Sequence, residues 1–162
     1  MTAAVLNFDV TDDIRAEFPD AAILDAAERI ASERLHRLGE ISSAVDARRL
    51  LVQRLAHCER ECFCALFLDN HHHVIAFEIL TEGTINAASV YPRELVRRVI
   101  THNAAAVIVA HNHPSGHPHP SEADRRMTDR IQDALALIDT RVIDHFIVGG
   151  TTCLSFAEEG LI

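Results

Sequence analysis

The sequence predicts an α/β domain, on three observations. Short apolar runs rich in β-branched residues recur from Phe63 onward. Longer stretches with a helical apolar stripe fall between them. Clusters of Gly, Pro, Asn and Asp separate the two kinds. At 162 residues the chain is most simply one domain with a core of its own.

Taken in order, residues 1–18 are acid-rich with a weak pattern and are expected to be partly disordered. Ala21 to Leu38 reads as a helix, with Ile23, Ala27, Ile30 and Leu35 roughly on one stripe. Ser43 opens a second helix to about His57, with Asp46 three residues later. Phe63 to Leu68 and Val74 to Leu80 read as strands joined by Asp69-Asn70-His71-His72-His73. Thr84 to Val90 follows as a third strand after the turn Glu82-Gly83, and Pro92 suits the first position of a helix to about His102. Ala104 to Ala110 is a short, bounded apolar run, which is the signature of a buried strand. Ser121 to Asp139 is helical, with Met127, Ile131, Leu135 and Ile138 on one stripe. Val142 to Val148 and Cys153 to Phe156 form a hairpin around Gly149-Gly150.

Composition narrows the function classes. A hydrophobic content of 48% and a net charge of −9 fit a globular protein, and no run approaches the length of a membrane span. Met1 to Val10 lacks the basic and apolar regions of a secretion signal, so a cytoplasmic location with four reduced cysteines is expected. Cys58, Cys62 and Cys64 lack C-x-x-C spacing; Cys62 and Cys64 share a strand face with Leu66 and Leu68 and read as small core residues. All fifteen basic residues are Arg. A pI near 5.6 disfavours general nucleic-acid binding, because phosphate contacts supply most nonspecific affinity. Arg93, Arg97 and Arg98, and Arg125, Arg126 and Arg130, cluster on predicted helices, where solvated faces are expected.

The chemistry concentrates in His111-Asn112-His113-Pro114, followed by Ser121 and Asp124. His111 and His113 stand at the end of the buried strand, where side chains at i and i+2 leave on the same face. Their backbones are about 6–7 Å apart, so both imidazoles can reach a zinc at about 2.0–2.1 Å. Asp124 is the third residue of the next helix and can turn back across the loop 115–120 as a third ligand. A fourth position left to water is the mark of a catalytic rather than a structural zinc site. Taken alone, Ser121 and Asp124 read as a helix cap; beside His-x-His-Pro they read as part of a metal centre.

His111-x-His113-Pro114, six residues, Ser121, two residues and Asp124 resembles the JAMM motif of the JAB/MPN metalloprotease superfamily. His111 to Gly116, Gly83-Thr84, Tyr91-Pro92-Arg93-Glu94 and Asp144-His145 resemble its RadC branch, often labelled a DNA repair family. The likeness runs from about Ala44 to the C-terminus. It divides the chain into an extension, 1–40, with one helix and a catalytic domain, 41–162. It is closest to the short RadC-like proteins, without the helix-hairpin-helix segment of the long ones.

The resemblance implies a mixed sheet flanked by helices, similar in architecture to cytidine deaminases. It implies one Zn2+ held by His111, His113 and Asp124, and an upstream glutamate as general base. Glu78, on the strand before Gly83-Thr84, matches that position; Glu82 falls in the turn. A base held rigidly and partly desolvated suits the task. Ser121 would donate to the oxyanion. The implied reaction is hydrolysis of a peptide or isopeptide amide bond through metal-activated water. A metal-dependent nuclease or DNA-repair accessory is the alternative. The expected partner is a protein or peptide substrate of unknown identity; nucleic acid is disfavoured by charge, no membrane is implied, and self-association stays open.

Other histidines read as bystanders. His71, His72 and His73 fit an exposed turn, His117 and His119 are skipped by the motif, and His145 reads as a satisfied core residue or one that backs a ligand. His57-Cys58-Glu59 lacks the Pro-Cys-x-x-Cys that a zinc deaminase requires.

Overall fold

The two strands that run through the middle of the sheet are also the most uniformly apolar. In the computed structural model, which describes residues 19, 22–30, 41–83 and 91–162, β1 (Cys62–Leu68) and β3 (Ala106–Asn112) are buried along their whole lengths. A strand covered on both faces has no solvent side, so its sequence shows a continuous apolar run. Around them lie α1 (residues 22–30), α2 (Ala44–Leu55), β2 (Val74–Glu82), α3 (Pro92–His102), α4 (Glu122–Ala136), β4 (Arg141–Gly149) and β5 (Thr152–Ser155). The expected strand Thr84 to Val90 and the expected disorder of residues 1–18 lie outside the described residues, as do parts of the Ala21 to Leu38 helix.

The sheet order is β2-β1-β3-β4-β5. β1 pairs antiparallel with both β2 and β3, and β4 with β5; β3 and β4 run parallel. A parallel pair needs a long crossover, and α4 supplies it. The mixed α/β architecture is therefore as expected.

Alternation along the strands sorts two cores. On one face Leu50, Leu51 and Leu55 of α2 pack on Cys62, Cys64, Leu66, Leu68, Ile108 and Phe146. Cys62 and Cys64 are core residues there, and all four cysteines are free. On the other face Leu95 and Val99 of α3, with Ile131 and Leu135 of α4, cover Phe63, Phe67, Val107 and Val109. Met127 and Ile138 flank that core, so the predicted stripe of α4 is the buried one. Truncating a fully buried leucine such as Leu51 would cost about 2–5 kcal/mol.

Several boundaries differ from expectation. β2 runs on to Glu82, so Glu82 ends a strand rather than sitting in a turn. The Gly83 N–H donates to the Glu61 carbonyl at 2.7 Å, which holds the ladder closed beyond the apolar stretch. Register shifts at Phe63/Cys64 and Phe67/Leu68 leave Leu80 and Ile75 as extra residues, bulging β2. α4 stops at Ala136, three residues short of Asp139, whose φ of 53° leaves the helical region. α3 begins at Pro92 as predicted and closes on Asn103 in the left-handed conformation. No helix among the described residues is long and apolar enough to cross a membrane.

Candidate metal centre

β3 carries its apolar alternation up to His111, whose side chain leaves on the face occupied by α3 and α4. The His111 side chain is fully buried. The strand's parallel ladder with β4 extends one residue further, because the His113 N–H donates to the Val148 carbonyl at 2.8 Å. That bond holds the second imidazole beside the first: the two Nε2 atoms are 3.0 Å apart. Between the histidines, Asn112 points to the opposite side. Its Oδ1 accepts from the Cys62 N–H at 2.7 Å, and its Nδ2 donates to the carbonyls of Cys58 and Arg60. Every polar atom of this buried amide is satisfied, and the segment leading into β1 is tied to the end of β3.

Asp124 arrives from the start of α4. Ser121 is the N-cap: its Oγ accepts from the Asp124 N–H at 3.2 Å, while Asp124 Oδ2 accepts from the Ser121 N–H at 2.7 Å. This reciprocal capping box fixes the carboxylate as part of starting the helix. The Ser121 hydroxyl also donates to Oδ2 at 2.6 Å. Oδ1 then lies 3.3 Å from His111 Nε2, and Oδ2 lies 3.7 Å from His113 Nε2. Burial would raise the Asp124 pKa, but the His111 and His113 imidazoles and the Ser121 hydroxyl set against its carboxylate outweigh it and hold the carboxyl well below the usual carboxylate range. The same carboxylate raises His113, against the opposing effect of its burial.

The loop between His113 and Ser121 is seated by glycine. A Cβ at Gly149 would lie 2.6 Å from the Gly116 carbonyl oxygen and 2.8 Å from Pro118 N, so only glycine at the end of β4 lets the loop come this close. Gly116 itself has φ +79°. Folded back in this way, the loop presents the His117 carbonyl to His113 Nδ1 at 2.8 Å. The carbonyl can only accept, so Nδ1 carries a proton, and in the neutral ring Nε2 keeps its lone pair.

These residues fit a zinc ion. One donor atom from each of His111, His113 and Asp124 lies within 4.8 Å of the others. A tetrahedral ion with bonds of about 2.0–2.1 Å sets donor–donor edges of about 3.3–3.4 Å. The Nε2–Nε2 separation of 3.0 Å and the nearest approaches of the carboxylate, Oδ1 at 3.3 Å to His111 and Oδ2 at 3.7 Å to His113, bracket that value.

Glu78 lies elsewhere on the same face of the sheet. It pairs with Ala65, which pairs in turn with Val109, one side-chain position short of the His111 row. Its Oε1 is 2.6 Å from His102 Nε2, and its Oε2 is 3.2 Å from Arg98 Nε. The structure thus brings His111, His113, Asp124 and Ser121 together, and it engages Glu78 with α3. Arg98 is therefore part of a specific ion pair rather than of a purely solvated cluster. The spacing of Arg98 and His102, four residues apart on one helix face, was the available signal. Glu82 pairs with Cys62, whose side chain belongs to the core on the opposite face.

His145, expected to be a satisfied core residue or one that backs a ligand, is fully buried, and its Nε2 is 2.9 Å from His111 Nδ1. Burial, and the proximity of His111, push it well below the usual histidine range. Asp144 is buried and accepts from the Ser155 hydroxyl at 2.5 Å and from the His145 and Ala157 amides. Among the described residues the cysteines join no group of metal-ligating side chains, and burial pushes the thiols of Cys58 and Cys153 up to about 12 and about 11.

A mixed sheet that delivers His-x-His from the end of a central strand, and Asp from the cap of the following helix, defines the JAB-domain class. The chain belongs to the RadC-like JAB domain family, whose model matches residues 41–161, and so to the JAMM-type metal-dependent hydrolase superfamily. A UPF0758 protein of Vibrio cholerae serotype O1 is 55% identical over 141 residues, which cover 87% of this chain and 63% of the relative. UPF0758 proteins of Vibrio parahaemolyticus serotype O3:K6 and Coxiella burnetii are 52% and 50% identical over the same coverage. The chain thus spans 63% of the length of these curated relatives.

Proposed function

We propose that this protein is a zinc-dependent hydrolase that cleaves a peptide or isopeptide amide bond. The observation that carries the reading is the convergence of His111 Nε2, His113 Nε2 and the Asp124 carboxylate, with one donor atom of each within 4.8 Å of the others. When bound, zinc supplies a Lewis acid that lowers the pKa of water from about 15.7 to about 7.

The chain's own residues do the rest. Glu78 accepts the proton of the attacking water and passes it to the leaving nitrogen. Both its oxygens are already engaged, by His102 and Arg98, so this role requires it to exchange one of those partners for water. Ser121 steadies the oxyanion by turning its hydroxyl proton away from Asp124 Oδ2 toward the substrate. The Ser121 N–H stays on Oδ2 during that turn, so the ligand keeps its position while the hydroxyl is lent out.

The test is to incubate the zinc-loaded protein with a library of peptide and isopeptide linkages and, in parallel, with labelled DNA, using Glu78→Gln as the control. Amide cleavage lost in the variant supports the reading. DNA cleavage that depends on Glu78, with no amide cleaved, replaces it with a nuclease.

A further inference from the structure

A line of buried hydrogen bonds runs from one ligand of the metal centre to the helix that carries another. His111 Nδ1 is 2.9 Å from His145 Nε2, and His145 Nδ1 is 2.7 Å from Thr128 Oγ1. Thr128 Oγ1 donates to the Asp124 carbonyl at 2.8 Å. His111, His145 and Thr128 are each at most 1% exposed, so water does not enter the line. Phe63 and Phe156 pack against the His145 ring and restrict its rotation.

The line has one direction. A carbonyl oxygen only accepts, so the single hydroxyl proton of Thr128 goes to Asp124. Thr128 Oγ1 must then accept from His145, which puts the His145 proton on Nδ1. Nε2 of that ring is left as an acceptor, and the proton between the two rings belongs to His111 Nδ1. In the opposite sense the Asp124 carbonyl would lose its bond from the Thr128 hydroxyl, and His111 would carry its proton on Nε2, pointing at the place a metal needs.

We infer that Thr128, acting through His145, sets the tautomer of His111 so that its Nε2 presents a lone pair to a metal ion. The inference rests on the metal-centre reading given above. Thr128 and His145 are positioning residues; neither touches the ion. The arrangement mirrors the one at His113, where the His117 carbonyl holds the proton on Nδ1. Each imidazole thus has its own device for the same end, one from the loop and one from α4.

The test uses the full chain. Thr128→Val keeps the shape and removes the hydroxyl, and Thr128→Ser restores it. Zinc affinity, read by competition with a chromophoric chelator, is expected to fall about 10–100-fold in the Val variant and to return to the parent value in the Ser variant. Histidine 15N NMR of the metal-free parent is expected to show a proton on Nδ1 and none on Nε2 for both His111 and His145. A Val variant that binds zinc as tightly as the parent, or either ring protonated at Nε2, overturns the inference. If the Val variant does not fold, the parent's NMR spectrum decides. A parent that shows the expected tautomers yet binds no zinc sinks the hydrolase reading and leaves the tautomer assignment standing.

Discussion

Two helices in this chain begin with Ser-x-x-Asp, and their carboxylates meet different surroundings. At α2, Ser43 caps the helix and its hydroxyl donates to Asp46 at 2.7 Å, with Ser42 adding a second bond at 2.9 Å. At α4 the Ser121 hydroxyl donates to Asp124 in the same way and the Ser121 N–H adds a second bond, but here two imidazoles also close on the carboxylate from the end of β3. Asp46 lies at the surface; Asp124 is 6% exposed. The cap motif therefore does not make a ligand. It makes a rigidly held carboxylate, and tertiary placement decides whether other donors meet it.

The largest way to break the comparison is to neutralise both acids. Asp124→Asn is expected to weaken zinc binding more than about 100-fold, beyond what loss of a supporting residue costs, while Asp46→Asn leaves it unchanged. Chelator competition reads both. The wild-type protein should also gain about 2.7 kcal/mol of stability with free zinc at a hundred times its Kd, and the Asp124→Asn variant should gain none at that concentration.

The serines separate next. Ser121→Ala is expected to lower turnover about 100- to 1000-fold as an oxyanion donor is lost, with zinc retained. Ser43→Ala is expected to cost about 0.5–2 kcal/mol in denaturant melts, with turnover per folded molecule unaltered. Equal losses of turnover in the two variants would mean that Ser121 is only a cap.

The smallest expected effect is in acid. Hydrogen bonds from Ser43 and Ser42 hold Asp46 below its ordinary value of 3.8. A depressed carboxyl contributes stability that is present above the unfolded pKa and is lost as pH falls through the folded one. The difference in thermal midpoint between the wild type and Asp46→Asn should therefore hold steady from pH 7 to 5 and shrink below about pH 3.8. A difference that persists at the lowest pH would remove Asp46 ionisation as the source of this cap's strength.

The convergence of His111, His113 and Asp124 was legible in the sequence because both of its parts are local. His111 and His113 share a face by strand alternation, and Asp124 is fixed by the cap of its own helix. The alternation of strands and helices followed from the same periodicities. What escaped depends on register between distant segments. Nothing near Glu78 in sequence announces Arg98 or His102, which reach it from α3 because of how that helix crosses β2. Nothing in the sequence gives Asn112 a role, yet it binds three backbone groups fifty to fifty-four positions away. The run of β2 to Glu82 escaped because a bond from Gly83 to Glu61 holds it, and polar residues give no apolar signal there.

The bare backbone at Gly149 couples two parts of the chain that could otherwise drift apart over evolutionary time. Any residue larger than glycine at that point lifts the Gly116–Pro118 arc off the sheet, and with it the carbonyl that fixes the His113 proton. Homologues that lengthen or rebuild this arc are thus freed from needing glycine at the end of β4, and those that keep it short are not. A side chain at that position should therefore appear together with a remodelled arc, as a paired change rather than a single one.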